Sequence, residues 1–253
     1  MKLEICAMCY SYEKRFNWMV SSLCDCLNVC DTDIVLNVST PQNNVKDYDF
    51  ITKDICDYYK NRTHVSRICD NIKLTNLSDD TFSNRALQRN FQVQFLDQET
   101  DLVLFADCDH IYDPLFFDEF IQNAVRHRRE NGINYMYTSR RTSTDELNKL
   151  NILIDEEEYP SYVDNTVGKY KQLKTRVTSA PGAGNCQLVF KEDLGGVYLS
   201  DYLVKDKSFF NSITYKSDRQ FRKRFKDVIK IETESKQYHL QHERYSFEDM
   251  TQQ

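Results

Sequence analysis

The chain has 253 residues, 40% of them hydrophobic and 13% aromatic, and a formal net charge of −6. A chain of this size and composition buries a sizeable core in one large domain or two small ones, which excludes a disordered protein. The acidic balance argues against nonspecific nucleic-acid binding as the main task, and no stretch approaches the ~20 consecutive apolar residues of a membrane helix.

The opening MKLEICAMCYSYEKR carries Glu4 and other polar residues where a secretory leader needs an unbroken apolar run, so a cytoplasmic location is expected, the host cytoplasm for a viral chain. Nine cysteines fall largely inside apolar runs, among them Cys6, Cys9, Cys56, Cys69, Cys108 and Cys186, and read as small buried hydrophobes of a reducing compartment. Cys6-x-x-Cys9 and Cys24-x-Cys26-x3-Cys30 have metal-like spacing, but they lie in a strand-like stretch and a helix end rather than in turns, which disfavours zinc.

In chain order, LEICAMCY reads as a strand, RFNWMVSSLCDCLN as a helix with Phe16, Met19, Val20, Leu23 and Leu27 on its apolar side, and DIVLNVS as a second strand. A helix around DFITKDICDYYKN and a short strand near SRICDNIKLTN follow. Ser83 is the expected N-cap of the next helix, in which Leu87, Phe91 and Phe95 form an apolar stripe. The run LVLFA (102–106) is expected to be a central parallel strand covered on both faces. Asp113 and Pro114 then read as N-cap and first residue of a helix closed by Gly132.

Asp107 and Asp109 therefore fall at the carboxyl end of a buried strand, where open α/β sheets bind ligands. Two carboxylates there can turn towards one cation, and oxygen ligands favour Mg2+ or Mn2+; the bland alternative is a solvated turn. An EF-hand is excluded, because Tyr112 stands where that loop needs glycine.

The strand LVLFADCDH resembles the D-x-D segment of GT-A fold glycosyltransferases of the family 2 type. Three further pieces in the same order carry the resemblance: NRALQRN (84–90) before the strand, GAGNCQLVFKEDLGGV (182–197), and SDRQFRKRF (217–225) followed by YHL (238–240). The similarity spans roughly residues 3 to 242. Ser217 replaces the family's usual acid before Asp218, and the Q-x-x-R-W motif is absent, which speaks against a processive polysaccharide synthase.

The resemblance implies an α/β chain with a single GT-A-type, Rossmann-like domain over residues 1–253, built on a central mostly parallel sheet flanked by helices. Residues 1–140 would bind the nucleotide sugar, 141–180 would be an insertion or lid, and 181–253 would bind the acceptor. It implies Mn2+ or Mg2+ held by Asp107, Asp109 and His239, with His242 the less favoured imidazole, and a nucleotide-sugar donor, UDP-linked. Donor contacts would come from Tyr10, stacking on the base, from Ser39 and Thr40 after the second strand, from Arg85 and Arg89, and from Asp107, Gly184 and Asn185. Asp218 would be the general base of an inverting transfer, taking the proton of the acceptor hydroxyl. Read as residues alone, Arg85 and Arg89 are equally a surface pair, Asp218 equally a helix N-cap, and His239 equally a structural histidine.

The acceptor is expected to be a saccharide or glycoconjugate. The basic clusters RHRR (126–129), SRR (139–141), KYKQLKTR (169–176) and RQFRKRFK (219–226) keep open a phage-type enzyme acting on hydroxymethylated bases of DNA. Two other classes remain: a phosphatase of the haloacid dehalogenase type, in which the first Asp of D-x-D is a nucleophile, and a noncatalytic sugar- or nucleotide-binding module.

Overall fold

The computed structural model describes residues 1–10, 13–42, 71–145, 149, 166–178, 186–199 and 213–240. The helix expected around DFITKDICDYYKN lies outside the described residues, as do Gly184, Asn185 and His242.

Strand β1 (Lys2–Met8), helix α1 (Glu13–Val29) and β2 (Asp33–Pro41) open the chain as the expected βαβ unit. After β3 (Ile72–Leu77) come α2 (Asp79–Ser83), α3 (Arg85–Gln94), β4 (Leu102–Phe105), β5 (His110–Tyr112) and α4 (Phe116–Asn131). The rest is β6 (Tyr135–Thr138), β7 (Arg140–Ser143), α5 (Thr166–Lys171), β8 (Thr175–Thr178), β9 (Gln187–Phe190), a 3-10 turn (Lys191–Leu194), α6 (Ile213–Lys223), β10 (Val228–Ile231) and β11 (Gln237–His239).

Among the described residues, seven strands form one sheet in the order β10-β6-β9-β4-β1-β2-β3. Only β9 runs antiparallel to its neighbours β4 and β6; the remaining pairs are parallel. Strands β5, β11, β7 and β8 make a second sheet in that order, which takes in two described parts of the 141–180 stretch, β7 and β8.

The run LVLF is buried at every position, as a central strand covered on both faces requires. Alternation divides the core into two layers. Ile5, Ala7, Leu36, Val38 and Leu104 pack with α1 and α4 through Phe16, Met19, Phe116 and Phe120. Cys6, Val103 and Phe105 face the other way and pack with Ala86, Val93 and Phe221 of α3 and α6. All seven described cysteines are free and buried. No helix among the described residues is long and apolar enough to cross a membrane.

Helix α3 corrects the reading of its stripe. Leu87 and Phe95 are exposed, while Gln88, Arg89, Asn90 and Gln92 are buried. The cause is the sheet beneath it, whose carbonyls each have two lone pairs and accept from side-chain donors of the helix, the Cys6 carbonyl while also accepting from the Ala106 amide. Arg89 donates to the carbonyls of Cys6 and Ala106, and Gln92 Nε2 to those of Ala7 and Asn37 at 2.8 and 3.0 Å.

The caps shift too. Ser83 ends α2, and Asn84 caps α3, its Oδ1 accepting from the amides of Ala86 and Leu87 at 3.1 Å. Leu115, not Asp113, occupies the N-cap position of α4; Asp113 instead accepts from the Lys236 amide at 2.8 Å and pairs with Lys171 at 2.6 Å. Gly132 does close α4, at φ 65°, a left-handed backbone that favours glycine.

Candidate active site

The carboxyl edge of the large sheet gathers side chains from β4, α3 and α6. Arg85, the first residue of α3, projects its guanidinium between two carboxylates, with Nη2 3.0 Å from Asp107 Oδ1 and Nη1 2.9 Å from Asp218 Oδ2. The Asn84 cap fixes where α3 starts and hence where Arg85 points. Burial works against the charge of Arg85, yet Asp107 and Asp218 together raise its pKa above the ordinary value.

Asp218 is 4% exposed. It lies inside α6, five residues after Ile213, so its reading as the N-cap of that helix is corrected. Burial pushes its carboxyl pKa above the ordinary value and Asp107 adds to this, while Arg85 and a hydrogen bond from Tyr198 pull it back. Tyr198 Oη is 2.8 Å from Asp218 Oδ1 and 3.1 Å from Gln187 Oε1.

Asp109, next to β5, sits between two imidazoles, 2.9 Å from His110 Nδ1 and 3.2 Å from His239 Nε2. His110 and His239 face each other across the β5–β11 ladder, with ring centroids 5.2 Å apart. Tyr170 donates to the His239 carbonyl at 2.5 Å and accepts from the Ser143 amide, holding β11 in place. Burial lowers the His239 pKa against the opposing pull of Asp109, which favours the neutral imidazole a metal takes.

No group of three or more His, Cys, Asp and Glu side chains among the described residues is drawn together as a ready metal centre. The donor types nevertheless fit a divalent cation such as Mn2+: Asp107, half-buried at the sheet edge, and Asp109 facing His239 Nε2 across 3.2 Å.

Arg89 does not join this cluster. It is fully buried among strand-end carbonyls, so its expected contact with donor phosphates is corrected to a structural role. Ser39 and Thr40 are buried at the end of β2, and their hydroxyls have no hydrogen-bond partner among the described residues. Adjacent in a strand, they point to opposite faces. The Gln88 amide is likewise buried and unpartnered among the described residues. Tyr10 lies at the same edge beyond β1, its ring 6.2 Å from that of Phe82.

Sequence reading missed Tyr198, Gln187 and His110. A glutamine opening the apolar run QLVF was the available signal for one of them; nothing local marks Tyr198.

No protein-family profile matches the chain, and no curated protein sequence matches it. Solved structures do. S. aureus TarS 1–349 in complex with UDP-GlcNAc is 13% identical, with a TM-score of 0.54 over 100% of this chain and 61% of that one. The mannosyltransferase PcManGT from Pyrobaculum calidifontis, in complex with GDP-Man and Mn2+, is 9% identical, with a TM-score of 0.50 over 90% of this chain and 54% of that one. The chain thus spans less than two thirds of the length of either. At these identities the likeness shows the fold: an α/β architecture with a mixed, mostly parallel sheet flanked by helices, matching GT-A-like structures.

Proposed function

We propose that the chain is a metal-dependent glycosyltransferase of the inverting, family 2-like type, moving a sugar from a nucleotide donor, UDP-linked, to a hydroxyl of a saccharide or glycoconjugate. The observation that carries this reading is Arg85 joining Asp107 to Asp218 at the carboxyl edge of the sheet. A candidate donor carboxylate and a candidate base are thereby held by one cation. Resemblance to structures containing UDP-GlcNAc or GDP-Man with Mn2+ adds support at the level of fold.

Asp107, Asp109 and His239 would hold Mn2+ or Mg2+, which when bound offsets the charge that grows on the departing diphosphate. Arg85 supplies fixed positive charge beside the same phosphates. Tyr10 would stack on the base, and the end of β2 that carries Ser39 and Thr40 would lie against base and ribose. Asp218 takes the proton of the acceptor hydroxyl as its oxygen attacks the anomeric carbon opposite the leaving group. The phosphatase alternative has less support, because its D-x-D motif normally ends the first strand of the domain, whereas here β1, β2 and β3 precede β4.

Thermal unfolding with a panel of nucleotides and nucleotide sugars, with and without Mn2+, tests the donor site. Binding to the native state alone raises apparent stability by about 3 kcal/mol at a hundredfold excess over Kd. Mn2+-dependent stabilisation by a nucleoside diphosphate, lost in Asp109→Ala, is expected. No shift with any nucleotide sinks the reading.

A further inference from the structure

Asp218 has a second partner besides Arg85, and that partner has an alternative. Tyr198 carries one hydroxyl proton and stands between two acceptors, Asp218 Oδ1 at 2.8 Å and Gln187 Oε1 at 3.1 Å. All three side chains are buried. The far end of the Gln187 amide settles its orientation: Nε2 donates to the Asp218 backbone carbonyl at 3.3 Å, so the oxygen faces the phenol.

Two hydrogen-bond patterns fit this geometry. With Asp218 ionised, Tyr198 donates to it. With Asp218 protonated, the carboxyl O–H donates to Tyr198 Oη, and the phenol turns its own proton to Gln187 Oε1. Both states keep the buried carboxyl and phenol paired, and only Gln187 Oε1 gives up its donor when Asp218 is ionised, whereas a buried donor stripped of its acceptor costs about 1–3 kcal/mol.

The phenol is held where this exchange works. Its ring stacks on Phe221 at 4.0 Å between centroids and meets Phe105 edge-on. Asn90 Oδ1 accepts from the Tyr198 and Leu199 amides at 2.7 and 2.9 Å. Arg224 donates to the Tyr198 and Leu194 carbonyls at 2.6 and 2.7 Å.

We propose that Tyr198 and Gln187 form a relay that lets Asp218 take up and give back one proton while the buried carboxyl and phenol stay paired in both states. The inference rests on Asp218 as the base and adds what sets its proton affinity. In the transfer, the acceptor O–H bond breaks as the bond to the anomeric carbon forms. The proton stays on Asp218, the electron pair of the old glycosidic bond leaves with the diphosphate, and Tyr198 only rotates its hydroxyl. Tyr198 stays a phenol, since burial holds its pKa well above the ordinary value. It and Gln187 act through Asp218 and are positioning residues.

Among the described residues, the charged and titratable groups that act on Asp218 are Arg85 and Arg89 from α3, Asp107 from the end of β4, and Tyr198. Carbon-13 NMR of aspartate-labelled protein, following the Asp218 and Asp107 carboxyls against pH, tests the relay without any substrate. Tyr198→Phe keeps the ring but removes the donor to the ionised form, so the Asp218 pKa rises by about one unit. Gln187→Met removes the phenol's alternative acceptor, so the pKa falls. A purely structural role predicts the same direction for both, a fall towards the ordinary value as water enters. A fall in Tyr198→Phe, a rise in Gln187→Met, or no movement in a folded variant overturns the relay, and Gln187→Met separates it from a fixed hydrogen bond between Tyr198 and Asp218.

Release of nucleoside diphosphate from UDP-GlcNAc or GDP-mannose with Mn2+ links the relay to catalysis. The acid limb of its pH profile should move with the NMR value, and a limb that stays fixed removes the relay from the reaction. If neither donor turns over, the glycosyltransferase reading is what falls, and the NMR result stands on its own.

Discussion

Arg85 and Arg89 lie one helical turn apart, and their surroundings separate them. Arg85 meets two carboxylates from distant parts of the chain, whereas Arg89 meets backbone carbonyls at the ends of β1 and β4. Removing Arg85 strands Asp218 in a buried site beside Asp107. Loss of one partner of a buried ion pair costs about 3–5 kcal/mol, so Arg85→Ala should lower urea-unfolding stability by about 3 kcal/mol and abolish stabilisation by nucleotide. Arg89→Met should cost about 2 kcal/mol, from buried acceptors that lose a charged donor, yet keep the nucleotide-dependent shift in thermal unfolding. An Arg89→Met protein of unchanged stability that no longer responds to nucleotide would return Arg89 to the donor site.

Among the elements, α1 carries a titratable group of its own. Asp25 Oδ2 is buried with no hydrogen-bond partner among the described residues, and burial pushes the carboxyl from 3.8 up to about 7. The folded chain therefore holds this proton more tightly than the unfolded one. Its stabilising contribution is complete below the unfolded value of 3.8 and is lost as pH rises to about 7. Asp25→Asn should flatten that decline, seen as a smaller change in urea midpoint between about pH 5 and about pH 8 than in the parent. Equal changes in the two proteins would show that Asp25 titrates normally. Legibility also varied by element. β4 was readable because a strand covered on both faces must be apolar throughout, and the two aspartates that end that run stand out against it. Helix α3 misled because its buried face is polar: periodicity weighs hydrophobicity, while Arg89 and Gln92 are buried for their donors. Asp218 was found through a motif resemblance, but its partners Tyr198 and Gln187 are defined by contacts 20 and 31 residues away in sequence, and local pattern carries no trace of those.

Across the whole molecule, two apolar layers enclose one large sheet, and every described thiol lies inside them. Burial raises the pKa of Cys6, Cys24, Cys26 and Cys186 well above the ordinary thiol range, which suppresses the thiolate that reacts. Alkylation of native protein, read residue by residue in peptide mass spectra, should leave these seven cysteines unmodified until the chain unfolds globally. Labelling of Cys6 or Cys108 under native conditions would instead reveal local opening at the sheet edge. The Arg85–Asp218 pair bears on how the protein is made. Its members stand 133 positions apart, so at about 5–20 residues per second a ribosome needs roughly 7 to 27 seconds to deliver the second after the first. Through that interval Arg85 has Asp107 but not Asp218 as a partner, and the proposed base is still missing. A truncated or stalled product would display the early strands yet lack the proposed base, so on the proposed function activity would certify that α6 has been synthesised and has docked.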